Sequence, residues 1–150
     1  MKKKLTWICL CLILAATFAI GAVQKAPREG VIDQFEQDLE QLELIAQCVL
    51  EKGDILNIDV PDGWTKITLY NKGTKQTTVE FQKAAGGLGS SSVYRGINYV
   101  PSDMMLGFQG TRWEYWKAEG SGRLFYEPES DNTCYVQRLA PCWYLYEARF

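Results

Sequence analysis

Residues 31–53 read VIDQFEQDLEQLELIAQCVLEKG, and their spacing predicts one amphipathic helix. Apolar residues recur at alternating intervals of three and four, while acidic residues occupy the opposite side. The apolar stripe consists of Ile32, Phe35, Leu39, Leu42, Ala46 and Val49. This pattern is typical of a helix with one buried face. Gly53 follows Lys52 at the position of a C-terminal cap, so we expect the helix to end there.

After this helix the hydrophobic pattern changes to a period of two, which indicates β-strands. Apolar and polar residues alternate in eight short segments, from which we expect seven or so strands. These segments are 56–60, 67–70, 77–81, 93–100, 113–117, 123–127, 134–139 and 143–148. Residues 84–92 are rich in Gly and Ser, which is typical of a mobile loop.

The connections between these segments are too short for parallel crossovers, which need about a dozen residues or more. The sequence therefore predicts the α+β class, with one N-terminal amphipathic helix packed on a mostly antiparallel sheet. A β-sandwich, or a partly closed barrel with one flanking helix, is the alternative.

The N-terminus resembles an export signal. Lys2, Lys3 and Lys4 precede an apolar run at residues 5–23, in which Thr6 and Thr17 are the polar members. This pattern favours a signal peptide at residues 1–23. A single membrane anchor through residues 5–23 is the alternative, because the run nearly covers the ~30 Å of a bilayer core. Residues 24–30 are interpreted as a short linker, and residues 31–150 as one globular domain, secreted or anchored outside the cytoplasm.

The charge distribution argues against a nucleic-acid partner. All 18 acidic residues but only 13 of the 16 basic residues lie beyond residue 22, so the exported part is mildly acidic. It contains no basic stretch that could neutralise a phosphate backbone.

The exported part has three cysteines, Cys48, Cys134 and Cys142. An odd number in an oxidising compartment suggests one disulfide between two of them and one spare thiol. The alternative is three buried thiols without a bridge.

The chain contains no histidine, which excludes triads that depend on histidine and zinc sites with histidine ligands. We expect no metal or cofactor, and no enzymatic activity. If the protein were an enzyme, a hydrolase of cell-surface polysaccharide that pairs Glu114 with Glu127 or Glu129 is the alternative.

Aromatic residues are concentrated in the last 40 positions of the chain, where alternation along strands sends them to both faces of the sheet. We expect a non-catalytic binding or interaction module whose partner is a protein or a carbohydrate of the cell surface. Its candidate binding residues are Trp113, Trp116, Tyr126 and Trp143. The final hairpin is expected to turn at Ala140 and Pro141. A structural component of an envelope assembly is a further alternative.

Overall fold

The computed structural model describes the backbone of residues 2–88 and 91–150, and the side chains of residues 27–86 and 91–150. The chain divides into two compact units, Met1–Gly30 and Val31–Phe150. Helix α1 spans Lys2–Lys52 and includes the predicted linker at residues 24–30, although Pro27 within it has no N–H for a helical hydrogen bond. The predicted leader at residues 1–23 lies outside the described side chains. Within the residues whose side chains are described, no helix is long and apolar enough to cross a bilayer.

Seven antiparallel strands follow the helix and form one open sheet, which confirms the predicted α+β class. The strands are β1 (Lys66–Tyr70), β2 (Thr78–Leu88), β3 (Ser91–Tyr99), β4 (Tyr115–Glu119), β5 (Gly122–Tyr126), β6 (Thr133–Ala140) and β7 (Trp143–Arg149). Their order in the sheet is β1-β2-β3-β7-β6-β5-β4. Two meanders are thus joined where β7 pairs with β3, and β4 is left at one edge.

The part of α1 from Val31 to Lys52 covers one side of the sheet, which we call the first face. Its buried stripe packs on strand residues that include Phe81, Ile97 and Trp143. The rings of Phe35 and Trp143 lie 5.4 Å apart. Asp38 accepts a hydrogen bond from Trp64 Nε1 at 2.9 Å, which ties the start of the sheet to the helix.

The opposite side, the second face, carries its own apolar core. It is covered by residues 100–114, the covering segment, which contains the short 3₁₀ helix Phe108–Gly110. Leu106 is 1 % exposed and contributes to this core together with Val136 and Tyr146. Except at the edge strand β4, both faces of the sheet are therefore shielded from water, one by the helix and one by an irregular segment.

Residues 56–60 and 84–92 differ from their predicted structure. Residues 56–60 form no strand: the Leu56 N–H bonds to Asp54 Oδ1, Asn57 has a left-handed φ of 59°, and Leu56 is 70 % exposed. Residues 84–92 are not a loop over their whole length, because β2 continues to Leu88 and pairs with β3. Small residues extend this hairpin because ladder hydrogen bonds need only the backbone.

The final hairpin turns one residue later than predicted. Pro141 and Cys142 form the turn, Ala140 pairs with Trp143, and the register shifts between Arg138 and Ala140. Cys142 has a φ of 65°, and a proline followed by a residue with positive φ is typical of a type II turn. This register places Tyr144 on the second face and Trp143 on the first.

The predicted disulfide is absent: Cys48, Cys134 and Cys142 are all free thiols. Cys134 is buried in the core of the second face, whereas Cys48 belongs to the helix on the first face. Cys142 lies in the β6–β7 turn and packs against the core of the first face. The sheet therefore separates Cys134 from the other two sulfur atoms.

Candidate functional site

A groove of about 760 Å³ opens on the second face, between the covering segment and the β4–β5 hairpin. Its lining combines apolar, aromatic and charged side chains. They are Met104, Met105, Leu106, Arg112, Trp113, Glu114, Trp116, Arg123 and Phe125. The two elements that form its walls come from adjacent parts of the sequence, residues 104–114 and 116–125.

The pairing of β4 with β5 positions the hairpin wall. Trp116 lies opposite Phe125, and Ala118 opposite Arg123. Phe125 is 4 % exposed and belongs to the core of the second face, so alternation sends Trp116 and Arg123 to that same face. Leu106 and Phe125 thus provide an apolar floor, and Trp116 and Arg123 stand at the rim.

Trp116 and Arg123 form a stacked pair. The guanidinium carbon of Arg123 lies 4.1 Å from the centre of the Trp116 ring, which is a favourable cation–π distance. Trp116 nevertheless remains 48 % exposed. The pair therefore presents a flat aromatic surface and a cation whose orientation is already restricted.

Trp113 forms part of the other wall and is held against the backbone of the covering segment. A Cβ at Gly107 would lie 2.6 Å from Trp113 Nε1, so the indole occupies the space that a side chain would need. The Nε1 atom is buried and has no hydrogen-bond partner among the described residues. Trp113 is half-buried, and its ring is less open to a ligand than that of Trp116.

Polar side chains of the sheet anchor the middle of the covering segment. Asn98 donates a hydrogen bond to the Gly107 carbonyl at 3.1 Å, and Glu80 accepts one from the backbone N–H of Gln109 at 3.1 Å. Glu80 is 1 % exposed, and burial raises the pKa of its carboxyl group to about 7.

Asp103 anchors the beginning of the same segment to the β6–β7 hairpin. Its carboxylate accepts hydrogen bonds from Tyr144 Oη at 2.7 Å and the Cys142 N–H at 2.8 Å, and it pairs with Arg138. The Tyr144 hydroxyl, as the largest contributor, lowers the pKa of Asp103. Burial, followed by the bond to Asp103, raises the pKa of Tyr144 to about 12. These contacts fix one wall of the groove before any ligand arrives.

The two arginines of the groove, Arg112 of the covering segment and Arg123 of β5, differ from the arginines elsewhere on the sheet. Arg95 and Arg149 both pair with the buried Glu147, and Arg138 pairs with Asp103. Arg112 and Arg123, in contrast, have neither an ion pair nor a hydrogen bond within the part of the chain that the structure describes. Because Glu114 is the single acidic side chain of the lining, the groove has an excess of positive charge.

The structure separates the four predicted binding residues. Trp113 and Trp116 both line the groove. Tyr126 is half-buried, and its ring lies 6.1 Å from that of Tyr115 on the first face. Trp143 is 2 % exposed inside the core of the first face, so it contributes to no surface.

The carboxylates of the alternative hydrolase are distributed differently. Glu114 lines the groove, whereas Glu127 and Glu129 do not. Glu127 accepts hydrogen bonds from Ser130 Oγ at 2.8 Å and Asn132 Nδ2 at 3.0 Å within its own turn. Among the described residues, no group of three Cys, Asp or Glu side chains could hold a metal ion.

Sequence reasoning missed Arg112 and Arg123. One signal could have found Arg123: a two-residue turn at Gly120 and Ser121 pairs Ala118 with Arg123, which places the arginine diagonally beside Trp116. No comparable signal exists for Arg112, because the covering segment has no periodicity. Comparison of the chain with known protein families, curated proteins and solved structures finds no match.

Proposed function

We propose that this protein is a non-catalytic binding module that acts outside the cytoplasm and holds a cell-surface carbohydrate in the groove of the second face. The observation that supports it best is the exposed Trp116 ring, stacked with Arg123 above an apolar floor. Aromatic rings suit the flat C–H faces of sugars, because they offer a large contact area at a low cost in conformational entropy.

The anchored wall supports the same proposal. Asp103, Glu80 and Asn98 hold the covering segment in place, so little ordering is needed when a ligand binds. Preorganised sites lose less entropy on association and bind more tightly for the same contacts. The lysines and the apolar run at residues 2–23 favour a location outside the cytoplasm, where cell-surface carbohydrates are accessible.

Replacement of Trp116 by Ala tests the proposal. We expect the Trp116→Ala variant to bind at least about tenfold more weakly to whichever oligosaccharide binds the wild type, because truncation of an aromatic hot spot typically has an effect of this size. Isothermal titration calorimetry with neutral and acidic oligosaccharides would measure it. Tyr115→Ala is the matched control, since Tyr115 is equally exposed but lies on the first face.

Nuclear magnetic resonance locates the bound ligand. The indole N–H signals of Trp113 and Trp116 should shift on titration, whereas those of the buried Trp64 and Trp143 should stay in place. The proposal would be abandoned if no oligosaccharide shifted the groove signals. It would also fail if Trp116→Ala and Tyr115→Ala weakened binding equally.

A further inference from the structure

We infer that the carbohydrate bound in this groove is acidic, and that Arg112 and Arg123 bind its carboxylate groups. The inference rests on the proposed function and deepens it by naming the ligand class. It is carried by the two arginines of the groove lining, neither of which forms an ion pair or a hydrogen bond with the described residues.

The groove arginines contrast with the other described arginines. The described arginines outside the groove each have a partner: Arg95, Arg138 and Arg149 pair with carboxylates, and Arg28 also interacts. Arg112 and Arg123 are exposed beside an apolar floor, and no described carboxylate bonds to them. A guanidinium presents a planar fork that matches a carboxylate with two parallel hydrogen bonds. A carboxylate of the ligand would supply the hydrogen-bond acceptors that the guanidinium groups of Arg112 and Arg123 lack among the described residues.

The stacking of Arg123 on Trp116 also favours the capture of an anion. A guanidinium that lies over an indole leaves the N–H groups at its edge available, so Arg123 can contact Trp116 and an anion together. The stacking also restricts the side chain before binding, which lowers the entropy lost when the carboxylate is captured.

Apolar and charged contacts lie side by side in the groove, as they do along a polyuronate chain. Each unit of a polyuronate presents a flat C–H face and a carboxylate. The groove presents the matching pair, an exposed indole at Trp116 and the guanidinium of Arg123, with Arg112 on the opposite wall. Glu114 opposes only part of this charge, because two cations line the groove against one anion. An acidic peptide shares the carboxylates but lacks the flat saccharide face.

The test compares an oligogalacturonate with its fully methyl-esterified form, which has the same backbone but no negative charge. We expect the acid to bind the wild-type protein at least about tenfold more tightly, since charge-assisted hydrogen bonds typically contribute that much. This preference should decrease as the salt concentration rises. Arg123→Gln should lose most of the preference, and Arg123→Lys should retain part of it.

Lys117→Gln is the matched control, because Lys117 carries the same charge in the same β4–β5 hairpin as Arg123 but alternates to the first face. It should keep the full preference for the acid. Circular dichroism would establish that each variant is folded.

Three outcomes distinguish this inference from the proposed function. If both forms bind equally and Trp116→Ala still weakens them, the groove binds carbohydrate but the inference is wrong. If neither form nor any neutral oligosaccharide binds, both proposals fail. If an Asp-rich peptide binds through Arg123 and the oligogalacturonate does not, the ligand is a protein and the inference is overturned.

Discussion

Glu80 is the most unusual titratable residue of the second face. Its carboxyl group is 1 % exposed, and its described polar contact is the Gln109 N–H. Lys66 and the Tyr146 hydroxyl are near enough to favour the charged form of Glu80, and Tyr70 also lies close to it. Desolvation outweighs these favourable contacts and raises the pKa of Glu80 from 4.5 to about 7.

The stability of the protein should therefore depend on pH through Glu80. The folded state binds this proton more tightly than the unfolded chain, so its contribution to stability is fully present below pH 4.5. It is lost as the pH rises through about 7, a difference of about 3 kcal/mol in the free energy of unfolding. Glu80→Gln removes the ionisation, and its stability relative to wild type should increase from pH 4.5 to pH 8.

Urea unfolding at a series of pH values measures this difference. Glu40→Gln is the control, because it makes the same replacement at an exposed position on the helix, where a surface substitution should change the free energy of unfolding little. If the free energies of unfolding of Glu80→Gln and the wild type differ by the same amount at every pH, Glu80 does not titrate near neutral pH.

Single residues also show where sequence reasoning reaches its limit. Trp116 and Trp143 look alike in the sequence, since both lie in strands rich in aromatic residues. One stands at the groove rim and the other is buried under the helix. The difference depends on the position of each strand in the sheet, because β4 is at the edge and β7 is central. Strand order is not encoded in local alternation.

The helix is the element that the sequence predicts best. Leu42 is fully buried on its stripe, whereas Leu44, two positions later, is 74 % exposed. Leu42→Ala should lower the free energy of unfolding by about 2–5 kcal/mol, because it leaves a cavity against the sheet. Leu44→Ala removes the same atoms from a solvated position and should change it by about 0.5 kcal/mol or less. Thermal unfolding of the two variants makes the comparison, and similar effects would contradict the predicted stripe.

Strands were predictable where alternation coincides with burial, and unpredictable where it does not. Residues 56–60 alternate like a strand, but Leu56 and Val60 are exposed and the segment pairs with none of the described strands. Residues 84–88 look like a loop, yet they pair through backbone groups that side-chain patterns do not report. Patterns of side chains thus locate the core-forming strands and miss pairing that depends on the backbone alone.

The whole domain is organised by a sheet that is apolar on both faces and needs two covers. Periodicity identified the helical cover, while the covering segment has no period that would reveal its role. The groove exists because this irregular cover ends beside the β4–β5 hairpin at the edge of the sheet. The candidate site therefore could not be predicted as a unit, although the sequence predicted two of its residues, Trp113 and Trp116.

The two covers also predict how the three described thiols behave. Cys134 is fully buried between the sheet and the covering segment, and burial raises the pKa of its thiol to about 12. Because a thiol reacts as the thiolate and the reagent must reach it, Cys134 should resist iodoacetamide in the folded protein. The half-buried Cys48 and Cys142 should be labelled, although partial burial also raises the pKa of Cys142 and should slow its reaction. Peptide mapping of the alkylated protein measures each site, and unfolding in guanidinium chloride should make Cys134 as reactive as the others. Rapid labelling of folded Cys134, or a disulfide-linked peptide joining it to Cys48, would contradict the placement of these residues on opposite sides of the sheet.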